Sequence, residues 1–203
     1  MILMKPMKLA VVLSLLTVTA SAQDFAYEIW HRGYLIVESG DTLKGDIKYN
    51  LETDLIQLQQ GDRIEAFTAR KLVYFQIFDV TAKEYRHFYA LPFSPSGGYR
   101  APTLFELLTE GKMTLFSRES MDYKTDSKYY YYASGRPAMF YKFFVLDQDG
   151  DIVEFTGSKD DWINAMGDRG KDVKKFARSN ELRFDDKEDL TKIVEYYNGF
   201  FVK

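Results

Sequence analysis

The chain contains no cysteine and only two histidines in 203 residues. Without cysteine there is no structural disulfide, no thiolate nucleophile and no cysteine to carry a lipid. His31 and His87 would have to meet each other and carboxylates in space to bind zinc or act as acid and base, and their spacing offers no support for that. His87 lies in Tyr85-Arg86-His87-Phe88-Tyr89, on the strand face of Tyr85 and Tyr89, and reads as a packed or rim residue. His31, beside Trp30, reads as exposed. Also missing are a Gly-x-Ser-x-Gly elbow, a phosphate loop ahead of a helix and a dinucleotide glycine fingerprint. Positive charge is not in excess either. The formal net charge is -3, which argues against nucleic acid as a partner because its backbone demands a basic surface.

Closely spaced carboxylates occur once, in Asp147-Gln148-Asp149-Gly150-Asp151. An EF-hand loop wants its Gly at the sixth position and Glu at the twelfth; here Gly150 is fourth from Asp147 and Ser158 is twelfth. The segment reads as a hairpin tip with solvated acids. No metal and no cofactor is expected.

The one continuous apolar run stands at the start. Lys5 and Lys8 form a positive n-region, Leu9 to Thr19 an apolar stretch, and Ala20-Ser21-Ala22 a small-residue cleavage site. Residues 1–22 therefore read as a signal peptide, cleaved after Ala22. The run is shorter than the roughly 20 apolar residues a spanning helix needs, so no transmembrane segment is expected in the mature chain. Loss of two lysines leaves the mature protein at about -5.

What the chain has in quantity is aromatic residues: 16 Phe, 15 Tyr and 2 Trp, within 46% hydrophobic residues. That weight excludes a disordered body and favours strands, whose pleat accommodates large rings. Roughly 180 mature residues suit one domain. Four turns share one form, a Gly beside a charged residue between strand-like runs: Ser39-Gly40-Asp41, Gln60-Gly61-Asp62, Glu110-Gly111-Lys112 and Asp149-Gly150-Asp151. Four hairpins imply an antiparallel meander. Residues 72–78 and 139–146 are apolar on both alternating faces, which predicts central strands. Residues 45–49 and 64–66 alternate more plainly and should lie near edges or over an open face. Two interruptions, 92–98 and 134–137, read as loop and turn.

After Gly157 the period changes from 2 to 3.6. Ser158 and Asp161 make a capping-box signal ahead of Trp162, Ile163 and Met166, with Gly167 as the stop. A second helix buries Val173, Phe176 and Ala177 and turns Lys171, Lys174, Lys175 and Arg178 to water. Asp185 and Glu188 are expected to cap a third, with Leu190, Ile193, Val194 and Tyr197 on one stripe. The expected fold is α+β and β-dominated. An antiparallel, curved or partly closed sheet over residues 23–157 is followed by about three helices over 158–203, packed on it as one domain.

Candidate binding residues are aromatic. Tyr129, Tyr130, Tyr131 and Tyr132 must point to both faces of any strand they join, so two of them face away from what the others bury. Together with Phe93 and Tyr99 from the preceding long loop they could form a platform for a glycan or an apolar ligand.

Two stretches carry a resemblance. Gly33-Tyr34-Leu35-Ile36-Val37 with Gly40-Asp41-Thr42-Leu43-Lys44-Gly45-Asp46-Ile47-Lys48-Tyr49, and Lys187-Glu188-Asp189-Leu190 through Val194-Glu195-Tyr196-Tyr197-Asn198, resemble uncharacterised exported β-rich proteins of Bacteroidota-type Gram-negative bacteria. The resemblance implies a periplasmic or outer-membrane-associated location and no activity; release outside the cell is the other destination an export signal allows. The expected role is a non-catalytic envelope protein that binds an envelope protein, a glycan or an apolar ligand on its aromatic sheet face. Two alternatives stand beside it. One is a hydrolase of envelope glycans or lipids using acids such as Asp79, Glu84 or Glu106, two of which should then converge in a cleft. The other is a carrier holding an apolar molecule between sheet and helices. The sequence does not specify an oligomeric state.

Overall fold

A computed structural model describes residues 26–95, 98–124, 136–147 and 149–202. The expected leader and Tyr129 to Tyr132 lie outside these residues.

Ten strands form one antiparallel sheet: β1 (His31–Val37), β2 (Thr42–Asn50), β3 (Leu55–Gln60), β4 (Arg63–Thr68), β5 (Leu72–Asp79), β6 (Glu84–Phe93), β7 (Ala101–Thr109), β8 (Leu115–Lys124), β9 (Arg136–Leu146) and β10 (Ile152–Glu154). Their order is β10-β9-β8-β7-β6-β5-β1-β2-β3-β4. The four Gly-bearing turns are the β1–β2, β3–β4, β7–β8 and β9–β10 connections. Gly40, Gly61 and Gly150 have φ of 88°, 62° and 83°, a region that strains any residue with a Cβ.

One connection forces the sheet to curl. In the sheet β5 is four inter-strand steps from β4, about 19 Å if flat. Only the 3-10 turn Ala69–Lys71 joins them, and four residues reach about 14 Å at most. The sheet therefore rolls until β2 lies over β8, close enough for Tyr49 to touch Glu119. Side chains complete this closure where no backbone ladder does. Asp54, in the β2–β3 turn, accepts from the Leu104 N–H and from Arg118, each at 2.8 Å. Arg118 in turn donates to the carbonyls of Leu104 and Leu51. The expected curved sheet is thus observed, and it is not closed.

Period-2 alternation sends one set of side chains into the roll and the other outward. Inside the curled half lie Leu35, Ile47, Tyr49, Ile56, Leu58, Phe75, Ile77 and Phe88. Three helices, α1 (Lys159–Ala165), α2 (Gly170–Ser179) and α3 (Lys187–Gly199), cover the same face further along, where Leu115 and Phe143 meet Trp162, Val173, Leu190 and Val194. Outside, Phe105, Phe116 and Phe144 make a smaller cluster. Helix α3 is anchored by buried Asn198, whose side chain accepts from the Met113 N–H and donates to its carbonyl, both at 2.9 Å.

Several expectations change. β5 is central, but β9 stands next to the edge; its two apolar faces arise because helices cover one and the outer aromatic cluster the other. Pro92 and Phe93 end β6 instead of opening a loop, and Arg136 and Pro137 begin β9, paired with Lys124 and Tyr123. The Ser158 capping box is present, while α3 is capped by Asp186, which accepts from the Asp189 N–H at 3.1 Å. Asp185 is engaged by Arg183 instead. His31 is fully buried rather than exposed, since β1 turns it into the roll and its Nε2 lies 2.6 Å from the Ala26 carbonyl oxygen.

Candidate functional site

Two places concentrate polar chemistry, on opposite faces of the sheet. Inside, between the curled half and the helices, three carboxylates converge on Arg86. Its Nε and Nη2 donate to the two oxygens of Glu106 at 2.7 and 2.8 Å, and Nη2 also reaches Glu119 at 2.6 Å. Nη1 donates to the Tyr49 hydroxyl at 2.7 Å and to Asp79 at 3.2 Å. The second cation is Lys187 of α3, 3.3 Å from Glu106. Ser117 donates to Glu106, the N–H groups of Thr81 and Ala82 to Asp79, and Tyr49 to Glu119.

Burial and pairing oppose each other in this cluster. Burial alone would raise the Glu106 carboxyl, but the Arg86 and Lys187 charges and the hydrogen bonds of Arg86 and Ser117 outweigh it and hold the group at about 2. Asp79 is likewise lowered: burial is outweighed by the Ala82 and Thr81 N–H groups and Arg86. The Tyr49 phenol is pushed up, first by burial and then by Glu119 and Glu106, against the pull of Arg86.

Such an arrangement locks and does not turn over. An acid–base pair for glycoside hydrolysis needs one carboxyl protonated near neutral pH and room for sugar and water. Here Asp79, Glu106 and Glu119 are 3%, 2% and 5% exposed, and each is bonded to the same guanidinium. Two of the acids singled out in the sequence, Asp79 and Glu106, do meet, but inside the packing. Glu84 is exposed at the start of β6.

The outer face presents the opposite situation. Across β2, β1, β5 and β6 the register aligns Lys44, Tyr34, Gln76 and His87 in one row. The adjacent outward row holds Asp46 opposite Arg32, and Phe78 opposite Tyr85. Between the rows runs a recess of about 560 Å³ floored by the backbone of Gly33, Gly45 and Ile77. Gly33 faces Gly45 across the strand pair. A Cβ on Gly33 would stand 2.1 Å from the Gln76 carbonyl oxygen, and one on Gly45 2.4 Å from that of Gln59. Only glycine allows the neighbouring strands to approach this closely at the bend.

The rings continue beyond the recess. Tyr74 lies 5.8 Å from Tyr34 and 4.9 Å from Tyr89, centroid to centroid. Burial first, then its hydrogen bond with Tyr34, pushes the Tyr74 phenol up, and its hydroxyl oxygen lies 2.6 Å from Nδ1 of His87, a hydrogen bond in which the histidine tautomer sets the donor. His87 is thus a packed residue of the aromatic face, as its strand parity suggests. Tyr85 is the exposed member, at 64%. A second recess, of about 400 Å³, lies between the start of α1 and residues 182–185, but its arginine, Arg183, is already forked onto Asp185.

Of the candidate residues named from sequence, Tyr129 to Tyr132 lie outside the described residues, and Phe93 and Tyr99 fall away from the recess. Phe93 packs edge-on against Phe105 and Phe144, each at 5.4 Å, and Tyr99 is exposed in the segment before β7. Phe93 is eight residues along β6 from Tyr85, about 27 Å, so neither it nor Tyr99 lines the recess. In the acidic hairpin, Asp147 accepts from the N–H groups of Asp149 and Asp151, and Arg100 forks onto Asp151. Among the described residues no group of three metal-ligating side chains comes together, and no helix is long and apolar enough to cross a membrane.

The recess did leave a signal in the sequence. A β1–β2 hairpin turning at residues 39–41 places Gly33 opposite Gly45 and sets Arg32 and Tyr34 beside Asp46 and Lys44. The Arg86 cluster left none, because its members come from six elements, β2, β5, β6, β7, β8 and α3. Comparison of the chain with protein-family models, with curated proteins and with solved structures finds no match.

Proposed function

We propose that this is a non-catalytic, exported envelope protein that binds its ligand on the outer aromatic face of the sheet, at the recess between Tyr34 and Tyr85. The observation that carries this reading is the division of polar groups between the faces. The buried acids are consumed in fixing the fold, whereas the outer recess offers the exposed Tyr85 ring, the half-buried rings of Tyr34 and Phe78, an amide and two cations over a bare backbone floor. Rings on a rigid strand ladder lose little entropy on binding, which suits them to recognition. Export is supported by the leader-like segment at residues 1–22.

The test is co-sedimentation of the native protein with isolated cell envelopes, beside a Tyr34→Ala, Tyr85→Ala double variant. The double variant should remain folded and lose most of the association. A folded double variant that sediments like the parent would overturn the site. Recovery of the untagged protein in the cytosolic fraction would overturn the location.

A further inference from the structure

The recess on the outer face is asymmetric in charge, and this extends the reading above, on which it rests. Of its nine lining residues two are cations, Arg32 and Lys44, and none is an acid. This occurs on a chain whose formal charge is -3. Arg32 engages one carboxylate, Asp46, through Nη1 at 3.3 Å, with the two side chains 80% and 45% exposed. A pair that open to water contributes little and yields readily to a better acceptor. The Lys44 ammonium has no ion pair among the described residues. Facing them on the recess wall are Phe78 and Tyr85, edge to face at 5.1 Å, with the Tyr34 ring and the Gln76 amide between.

We propose that this recess binds an acidic saccharide, with a sugar ring lying against Phe78 and Tyr85 and its carboxylate or phosphate meeting Lys44 and Arg32. Aromatic walls suit the C–H faces of a sugar, and Gln76 with the two phenols supplies donors and acceptors for hydroxyls. An extended peptide is disfavoured because the floor has nothing to pair with: β1 is hydrogen-bonded along both edges, to β2 and to β5. An acyl chain is disfavoured because a recess open on the outer face cannot remove it from water.

Calorimetric titration of the native protein decides the matter, with three probes: a tetragalacturonate, the same oligomer fully methyl-esterified, and an oligomannoside ending in mannose 6-phosphate. At least one anionic probe should bind about tenfold or more tighter than the ester, the gain expected of one charge-assisted contact. Which anionic probe is preferred identifies carboxylate or phosphate as the natural group. Lys44→Met should abolish that preference while leaving the melting temperature unchanged. Equal affinity for acid and ester, or a preference that survives in Lys44→Met, overturns the charge assignment. Failure of all three probes, or binding of poly-glutamate in their place, overturns the saccharide. If envelope association is still lost in the Tyr34→Ala, Tyr85→Ala variant, the binding face stands without this ligand; if it is not, both fall.

Discussion

Arg86 and Arg32 are both strand-borne arginines of the same sheet, two strands apart, and they have opposite fates. Arg86 points into the roll, is 3% exposed in its side chain, and is bonded to three carboxylates and a phenol. Arg32 points out, is 80% exposed, and touches one carboxylate. Burial makes the difference obligatory. A guanidinium taken out of water costs several kcal/mol unless every N–H finds an acceptor, so the interior assembles acids around it until none is left over. At the surface water supplies the missing partners, and the charge stays free for something else to bind. In this protein the residues that look most like an active site are therefore the ones least able to act, and the ordinary-looking outward rows hold the unspent chemistry.

The sharpest way to break that comparison is to remove the two arginines in turn. Arg86→Met leaves Asp79, Glu106 and Glu119 buried with only Lys187 to balance them, and should cost about 3–5 kcal/mol or abolish the cooperative transition in urea. Tyr49→Phe, which removes one hydroxyl from the same cluster, should fold and lose about 1–2 kcal/mol. Arg32→Met should stay within about 0.5 kcal/mol of the parent. If Arg86→Met proved as stable as Arg32→Met, the inner cluster would not be the clasp between the curled half and the helices.

Acid should find the inner face before the outer one. Glu106 and Asp79 are held below their ordinary values of 4.5 and 3.8, so the folded state binds fewer protons than the unfolded chain. Stability from these groups is complete above the unfolded pKa values and is lost as pH falls from about 4.5 toward the folded value of about 2 for Glu106. Urea midpoints should accordingly be level between pH 7 and about 5 and then fall steeply. Lys187→Met, which removes one of the two cations holding Glu106, should be less stable at pH 7 and show a shallower acid slope. An acid slope unchanged by that substitution would remove α3 from the clasp.

How much of this was legible in the sequence follows the range of the interactions. The Gly-bearing turns, the Ser158 capping box and the helical stripe of Leu190, Ile193, Val194 and Tyr197 are set within a few residues, and the structure agrees with them. The choice of inner face on β6 is not local, because Tyr85, His87 and Tyr89 together are no more polar than Arg86 and Phe88, and parity alone cannot say which set is buried. The burial of His31 is not local either, since it depends on a roll that brings Phe78 and Ala26 around it. The clasp is less legible still, with Tyr49 and Glu119 separated by 70 residues in the chain. Of the aromatic surface expected from sequence, the tyrosine run at 129–132 lies outside the described residues and Phe93 and Tyr99 stand away from the recess, which is made by the glycine pair and the residues flanking it.

Gly33 is where the two faces can be set against each other in one residue. Its missing side chain would point into the roll, toward the Gln76 carbonyl and the Ile47 side chain, while its backbone floors the recess outside. Gly33→Ala therefore forces β1 and β5 apart from the inside and deforms the recess from beneath. The expected loss is about 1–3 kcal/mol of stability, the usual range for overpacking a tight site, together with weaker envelope association. Tyr85→Ala, which alters only the outer wall, should weaken association as much or more while leaving the urea midpoint nearly unmoved, because a residue that exposed contributes little to the core. The pair separates a surface that merely stays folded from one that is used. If association tracked stability across both variants, the outer face would be no more than the back of the core; if Tyr85→Ala alone moved association without stability, the recess would have a role that packing does not explain.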